Sequence, residues 1–223
     1  MNSDETSGSD HPRGPVSRRA AKPATVPKIR QVMSELGRVP FLPESQHRFA
    51  DADVPLPIGY GQTNSQPSTV AAMIELLEVV PGTRILDIGC GSGWTTAILA
   101  RLTGESGEVI GVERIPEITR RARAAVAAQG MGWAEVRQAV PGVFGLPEDE
   151  PFDRILVSAA ADTLPTELLD QLAPGGILVI PVGTHMRRLR KRPDGQVEDT
   201  RHGLYTFVPL IRDEAKDRGR DPI

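Results

Sequence analysis

Apolar residues recur along the chain in two rhythms. Ile29, Val32, Met33 and Leu36 fall at helical spacing and predict a helix over Pro27–Leu36, stopped by Gly37. Val70, Met73, Ile74 and Leu77 repeat that spacing after Pro67, which suits the first position of a helix, and Pro81-Gly82 closes the connection. From there short apolar runs alternate with helical patterns. Arg84–Ile88, Glu108–Glu113, Glu135–Gln138, Phe152–Ser158 and Ile177–Val182 read as strands. Trp94–Leu102, Pro116–Gln129 and Pro165–Leu172 read as helices between them. Strands separated by helices need crossover connections, hence a parallel sheet. Met186–Lys191 and Leu204–Leu210, joined through Pro193-Asp194-Gly195, predict an antiparallel hairpin at the end. The expected class is α/β, a doubly wound, mostly parallel sheet with that hairpin attached. The Pro- and Gly-rich stretch from Val39 to Gln66 is expected to hold no regular element.

Both ends break the pattern. Residues 1–24 offer only Met1 and Val16 as large apolar groups, too little burial to offset ordering entropy, so a disordered tail is expected. Residues 212–223, with four basic and four acidic residues, are expected to form a loose tail. One domain, 25–211, remains: a helical and loop extension (25–80), a cofactor-binding sheet (81–185) and the hairpin (186–211).

Composition narrows the picture. Hydrophobic residues are 39% and charged residues 25% of the 223, the profile of a soluble globular protein. The strongest apolar runs, such as Ile177–Val182, are far too short to span a bilayer, so no membrane partner is expected. Met1-Asn2-Ser3-Asp4-Glu5 is unlike a secretory leader, and a cytoplasmic location is expected. One cysteine excludes an internal disulfide and a cysteine-based zinc site. A net charge of −3 gives no case for nucleic-acid binding. Arg187, Arg188, Arg190, Lys191 and Arg192 cluster on the expected hairpin, as a solvated face or an attractor of acidic peptide or nucleic acid. His47, His185 and His202 lack metal-ligand spacing.

The candidate chemistry begins where the first sheet strand ends, in Asp87-Ile88-Gly89-Cys90-Gly91-Ser92-Gly93-Trp94. Glycines there make a tight strand-to-helix turn and let a ligand approach the backbone. Glu113 ends the next strand, where a carboxylate can accept both hydroxyls of a ribose. A nicotinamide fingerprint would want glycine where Trp94 stands. The spacing G-x-G-x-G, with an acidic residue two places before it, points instead to S-adenosyl-L-methionine and a Rossmann-like methyltransferase sheet. Asp87 would then lie near the ligand's amine, and the backbone of Gly89, Gly91 and Gly93 near its carboxylate. The plainer alternative is that the glycines close a turn and Glu113 caps a strand. Cys90 fits a small loop residue better than a nucleophile, having no basic partner nearby in sequence.

Beyond the loop, the chain resembles the protein-L-isoaspartate O-methyltransferases over about residues 26–211. The specific element is Leu56-Pro57-Ile58-Gly59-Tyr60-Gly61-Gln62-Thr63-Asn64-Ser65-Gln66-Pro67. Val112-Glu113-Arg114-Ile115-Pro116-Glu117, Ser158-Ala159-Ala160-Ala161, Ala173-Pro174-Gly175-Gly176 and Phe207-Val208-Pro209-Leu210 extend the likeness. The resemblance implies methyl transfer from S-adenosyl-L-methionine to the free carboxylate of isoaspartyl (or D-aspartyl) residues in damaged proteins or peptides. The ester then closes to a succinimide, whose hydrolysis partly restores the normal linkage. An α-type carboxyl, with a pKa of roughly 3.3–3.7, is already an anion at neutral pH, so alignment rather than a general base carries the reaction. The resemblance places Ser65 as the active-site serine, with Thr63 and Asn64 beside the cofactor. Taken alone, Ser65 is also a plausible helix cap, lying just before Pro67. A monomer acting on an isoaspartyl protein or peptide is expected.

Three departures stand out. The family's G-D-G, whose aspartate is expected at the adenine amine, is Val140-Pro141-Gly142 here, and proline offers neither carboxylate nor N–H. Of that segment, Gly142 is kept among the expected cofactor-binding residues. Asn64 replaces the usual Ile, and Trp94 the usual Tyr. These changes suggest a divergent branch, and leave open as alternatives another carboxylate as acceptor or a protein that keeps the fold and has lost turnover.

Overall fold

The computed structural model describes residues 21–212. Most of both expected tails, 1–20 and 213–223, lies outside the described residues. The chain runs α1 (Val26–Leu36), β1 (Leu56–Gly59), β2 (Gln62–Asn64), α2 (Pro67–Leu77), β3 (Arg84–Ile88) and α3 (Trp94–Thr103). It continues through β4 (Glu108–Glu113), α4 (Pro116–Ala127), β5 (Ala134–Gln138), β6 (Phe152–Val157) and α5 (Glu167–Asp170). The last three elements are β7 (Leu172–Val182), β8 (His185–Lys191) and β9 (Val197–Leu204).

Seven strands form one sheet in the order β5-β4-β3-β6-β7-β8-β9. The first five are parallel, and β8 and β9 add antiparallel. Alternation along the central strands splits the core in two. Ile85, Val109, Leu156 and Val179 pack with α1 to α4 on one face. Leu86, Ile110, Ile155 and Leu178 pack on the other with Leu168 and Leu172. Burial on both faces explains why these strands read as continuous apolar runs. Chain direction across the sheet reverses beside β3, the place where such sheets bind ligands beyond their carboxyl ends. No helix among the described residues is long and apolar enough to cross a membrane.

Three expectations need correcting. The stretch from Val39 to Gln66 is not irregular throughout: it holds two short 3₁₀ turns and the hairpin β1–β2. Tyr60 and Gly61 both take positive φ at its tip (55° and 68°), the backbone of a two-residue hairpin turn, although tyrosine is no usual signal for one. Leu56 and Ile58 bury into a satellite cluster with Leu42, Ala50 and Ile118. Second, the helix expected over Pro165–Leu172 is a single turn. Gln171 turns inward at 2% exposure, and Leu172 already pairs with Phe152 in the sheet. Third, the partner of β8 is the polar edge strand Val197–Leu204, not Leu204–Leu210. The Phe207–Leu210 run instead folds back across the strand ends, where the amide of Ala160 donates to the Val208 carbonyl (2.8 Å) and that of Leu210 to the Ala160 carbonyl (2.7 Å).

The basic cluster is held by its own surroundings. Glu78 accepts from Arg188 and Arg190, and Asp199 accepts from Arg187. The Lys191 ammonium donates to the carbonyls of Leu169 (3.0 Å) and Leu172 (2.8 Å), and Arg192 lies near Asp194 and Glu198. These contacts tie α2 and the turn after α5 to the hairpin strand.

Candidate active site

The glycine loop leaves β3 and is fixed by the next strand. The amides of Gly89 and Cys90 both donate to the Val112 carbonyl, at 2.9 and 3.1 Å. Glu113, 5% exposed, accepts from the Gly91 amide with one oxygen (3.1 Å) and from the Ile115 amide with the other (2.9 Å). Each carboxylate oxygen thus keeps a lone pair for a ligand. Gly89, Gly91 and Glu113 line a cleft of about 690 Å³, counted with the solvent at its mouth. Gly93, expected at the ligand, is not among the residues that line the cleft and is closely packed against α4. At φ 85° it starts α3, and a Cβ there would come within 2.7 Å of Val126 on α4.

Asp87 is wholly buried, points to the side of the sheet that carries Thr96, and is not among the residues that line the cleft. Its Oδ2 accepts from the Thr96 hydroxyl at 2.7 Å, while Oδ1 has no hydrogen-bond partner among the described residues. Burial pushes its carboxyl up to about 7; the Thr96 hydroxyl opposes that and the Glu113 charge adds to it. A buried carboxylate oxygen left unpaired is costly, and a cationic ligand group is the partner that would relieve it. Cys90 is buried beside these carboxylates, which raise its thiol pKa further after burial itself. It is no thiolate nucleophile.

The far wall comes from a loop and a strap. Ala139, Val143, Phe144 and Gly145 line the cleft, whereas Gly142, expected there, is exposed and lies just outside it. Gln171 holds this loop from behind: its Oε1 accepts from the Leu146 amide (2.8 Å) and its Nε2 donates to the Phe144 carbonyl (2.9 Å). Gly145 is shaped to that side chain, for a Cβ would sit 2.2 Å from Gln171 Oε1 and its φ is +78°. Val208–Ile211 form the strap, and Arg212 beyond it lies 4.4 Å over the Phe144 ring.

A second cavity adjoins the first. It is lined by Ser65, Gln66 and Thr206 among others, and it shares Thr63, Ser158 and Val208 with the cleft. Among the described residues no lysine or arginine lines it; its polar groups are hydroxyls, an amide and backbone. Ser65 is not the cap of α2. The capping position is Gln66, without a side-chain cap bond, and the free Ser68 amide donates to Asp53 Oδ1 (2.8 Å). Asn64, expected beside the cofactor, lines neither cavity. It is 5% exposed, with Oδ1 accepting from Arg38 Nε (3.0 Å) and Nδ2 donating to Ser92 Oγ (2.9 Å).

With this geometry in place, comparison with known proteins is decisive. The family model of the protein-L-isoaspartate(D-aspartate) O-methyltransferases matches residues 17–215. The chain belongs to this family. A protein-L-isoaspartate O-methyltransferase of Methanopyrus kandleri is 44% identical over 191 residues, 84% of each chain. One from Rhodopseudomonas palustris is 45% identical over 193 residues, 84% of this chain and 77% of the relative. A solved protein-L-isoaspartate O-methyltransferase superposes with a TM-score of 0.72 at 27% identity, covering 82% of this chain and 60% of its own. A Plasmodium falciparum structure holding S-adenosyl-L-homocysteine shares the fold, with a TM-score of 0.70 over 83% of this chain and 90% of that one, at 24% identity.

Within this isoaspartate methyltransferase fold, two residues that build the site were missed from sequence. Gln171 falls in the last turn of the helix expected over Pro165–Leu172, and Arg38 belongs to no motif. Neither composition nor periodicity marks a buried polar residue whose partners lie far along the chain. Gln171 reaches 25 and 27 residues back, and Arg38 reaches up to 27 forward.

Proposed function

We propose that this chain transfers a methyl group from S-adenosyl-L-methionine to the free carboxylate of isoaspartyl residues in proteins or peptides, as a repair reaction. The observation that carries this reading is the pair of adjoining cavities meeting at Thr63, Ser158 and Val208. One has the features of a cofactor cleft, and the other presents hydroxyls to an incoming carboxylate, with no lysine or arginine among the described residues that line it. Asp87 would hold the cofactor's amine, Gly89 and Gly91 its carboxylate, and Glu113 its ribose. At the base, the missing carboxylate of Val140-Pro141-Gly142 is offset by apolar walls from Ala139, Val143 and Phe144, on which a planar ring can stack.

When bound, the cofactor supplies an electrophilic methyl on a sulfonium, which a carboxylate takes up as an ester. Ser65 and Thr63 have the task of orienting that carboxylate. Hydroxyls suit this better than cations, because a tight ion pair would stabilise the anion more than the transition state in which its charge is spent. The strap Val208–Ile211 covers the junction from outside and limits water there. No side chain needs to take a proton, so Asp87, buried against Thr96, stays a binding group. The test is transfer of labelled methyl from the cofactor to a synthetic isoaspartyl peptide. Base-labile label on the peptide supports the reading, and an absence of label in protein that binds S-adenosyl-L-homocysteine overturns it.

A further inference from the structure

Arg38, only 4% exposed, donates to the carbonyls of Ala50, Ala52, Val54, Asn64 and Ser65 and to Asn64 Oδ1, at 3.0–3.4 Å. Its guanidinium also lies 5.3 Å from the ring centre of Trp94, the first residue of α3 after the glycine loop. Burial lowers its pKa, only partly offset by Asp53, so the charge is held chiefly by neutral carbonyls. Asn64 then carries the connection onward to Ser92, between Gly91 and Gly93. Neither Arg38 nor Asn64 lines either cavity. A buried cation with this many partners is costly to place and stiff once placed.

We infer that Arg38 and Asn64 are positioning residues that fix the acceptor-side segment Thr63–Ser65 in register with the cofactor-side glycine loop. This rests on the proposed methyl-transfer reading. Two of the sequence departures, Asn64 and Trp94, meet at the same guanidinium, so they form one unit rather than two unrelated drifts. The unit links the two cavities from behind: one end is the backbone that carries Ser65, the other the loop that carries Gly89 and Gly91. Ordering one side therefore orders the other.

Asn64→Leu keeps the volume and cuts both links, whereas Asn64→Asp can still accept from Arg38 and from the Ser92 hydroxyl. The expected result is a kcat lowered on the order of tenfold in Asn64→Leu, and largely restored in Asn64→Asp, because small misplacements at a reacting centre are expensive. The dissociation constant of S-adenosyl-L-homocysteine should barely move in either. Equal rates in all three proteins, or equal losses in the two variants, would overturn the inference. Ser92→Ala, which cuts only the far end, replaces Asn64→Leu if that variant does not fold. A second readout needs no acceptor: hydrogen exchange of residues 50–56, which do not touch the cofactor cleft, on adding S-adenosyl-L-homocysteine. Added protection in the native chain that is lost in Asn64→Leu supports the linkage; the same protection in both, or none in either, contradicts it. Should the native chain methylate no isoaspartyl peptide, the functional reading fails, and this exchange experiment still decides the positioning claim.

Discussion

At the residue scale the site is governed by two buried carboxylates with different partners. Asp87 has one satisfied oxygen and one orphan, and its pKa stands near 7 against an ordinary value of 3.8. Between those values the native chain holds a proton that the unfolded chain has lost. Its contribution to stability therefore falls as pH rises through that window and is flat above it. A ligand ammonium prefers the ionised form, so affinity for S-adenosyl-L-homocysteine should rise from about pH 6 to 8 and then level off. Asp87→Asn should bind more weakly with little pH dependence over that range, yet melt at a higher temperature near pH 8. Calorimetry and melting curves across that range check both, and a wild-type affinity independent of pH would remove the amine from Asp87. The turnover number at saturating cofactor should stay level over the same range, since the acceptor is already ionised. Glu113 differs in that both its oxygens are engaged with backbone amides. Glu113→Ala should weaken binding by roughly 1.5–3 kcal/mol, the worth of a hydrogen bond to a charged group. A folded variant with an unchanged dissociation constant would exclude Glu113 from the site. Ser65 is relieved of any capping duty by Asp53. Ser65→Ala should leave the melting temperature in place and lower the transfer rate on the order of tenfold, through misalignment. A full rate in that variant would leave Ser65 without a part in the reaction.

At the scale of elements, the site depends on how loops are held from behind. Gly145 and Gln171 set the loop that replaces the family's adenine carboxylate. Gly145→Ala would place a methyl against Gln171 Oε1 and strain a left-handed backbone. It should weaken S-adenosyl-L-homocysteine binding measured by calorimetry, with the glycine loop undisturbed; unaltered affinity would show that this loop carries none of the base's binding. The same scale shows what was legible in the sequence. Parallel strands and their helices could be read because burial on one or both faces writes a period into each segment, as in Arg84–Ile88 and Pro116–Ala127. The edge strand Val197–Leu204 could not, because its side chains are nearly all exposed and its pairing is by backbone and ion pairs. The sequence pattern puts that strand at Leu204–Leu210, since a segment that buries against strand ends looks the same as one that buries within a sheet.

For the whole molecule, the topology places both cavities at one end of the sheet. β3 and β4 bring the glycine loop and Glu113 there, with Asp87 buried behind them; the hairpin before α2 brings Thr63 and Ser65; the strap returns after the last strand to line both cavities. Gly89, Gly91 and Glu113, legible as a motif because close backbone approach and hydrogen-bonding need have local signatures, line the cleft. Gly93, Asn64 and Gly142 line neither cavity, because tertiary packing decides which loop residue faces a cavity and which faces a helix or solvent. The claim that unites these observations is that an anionic acceptor is aligned in the hydroxyl-lined cavity against a methyl donor in the cleft. It is tested most directly by the specificity constant for methyl transfer to an isoaspartyl peptide, set against the peptide of the same sequence with a normal aspartyl linkage. The account predicts a strong preference for the isoaspartyl peptide with one methyl ester formed per isoaspartyl residue; equal transfer to the two peptides, or none to either while S-adenosyl-L-homocysteine binds, would contradict it.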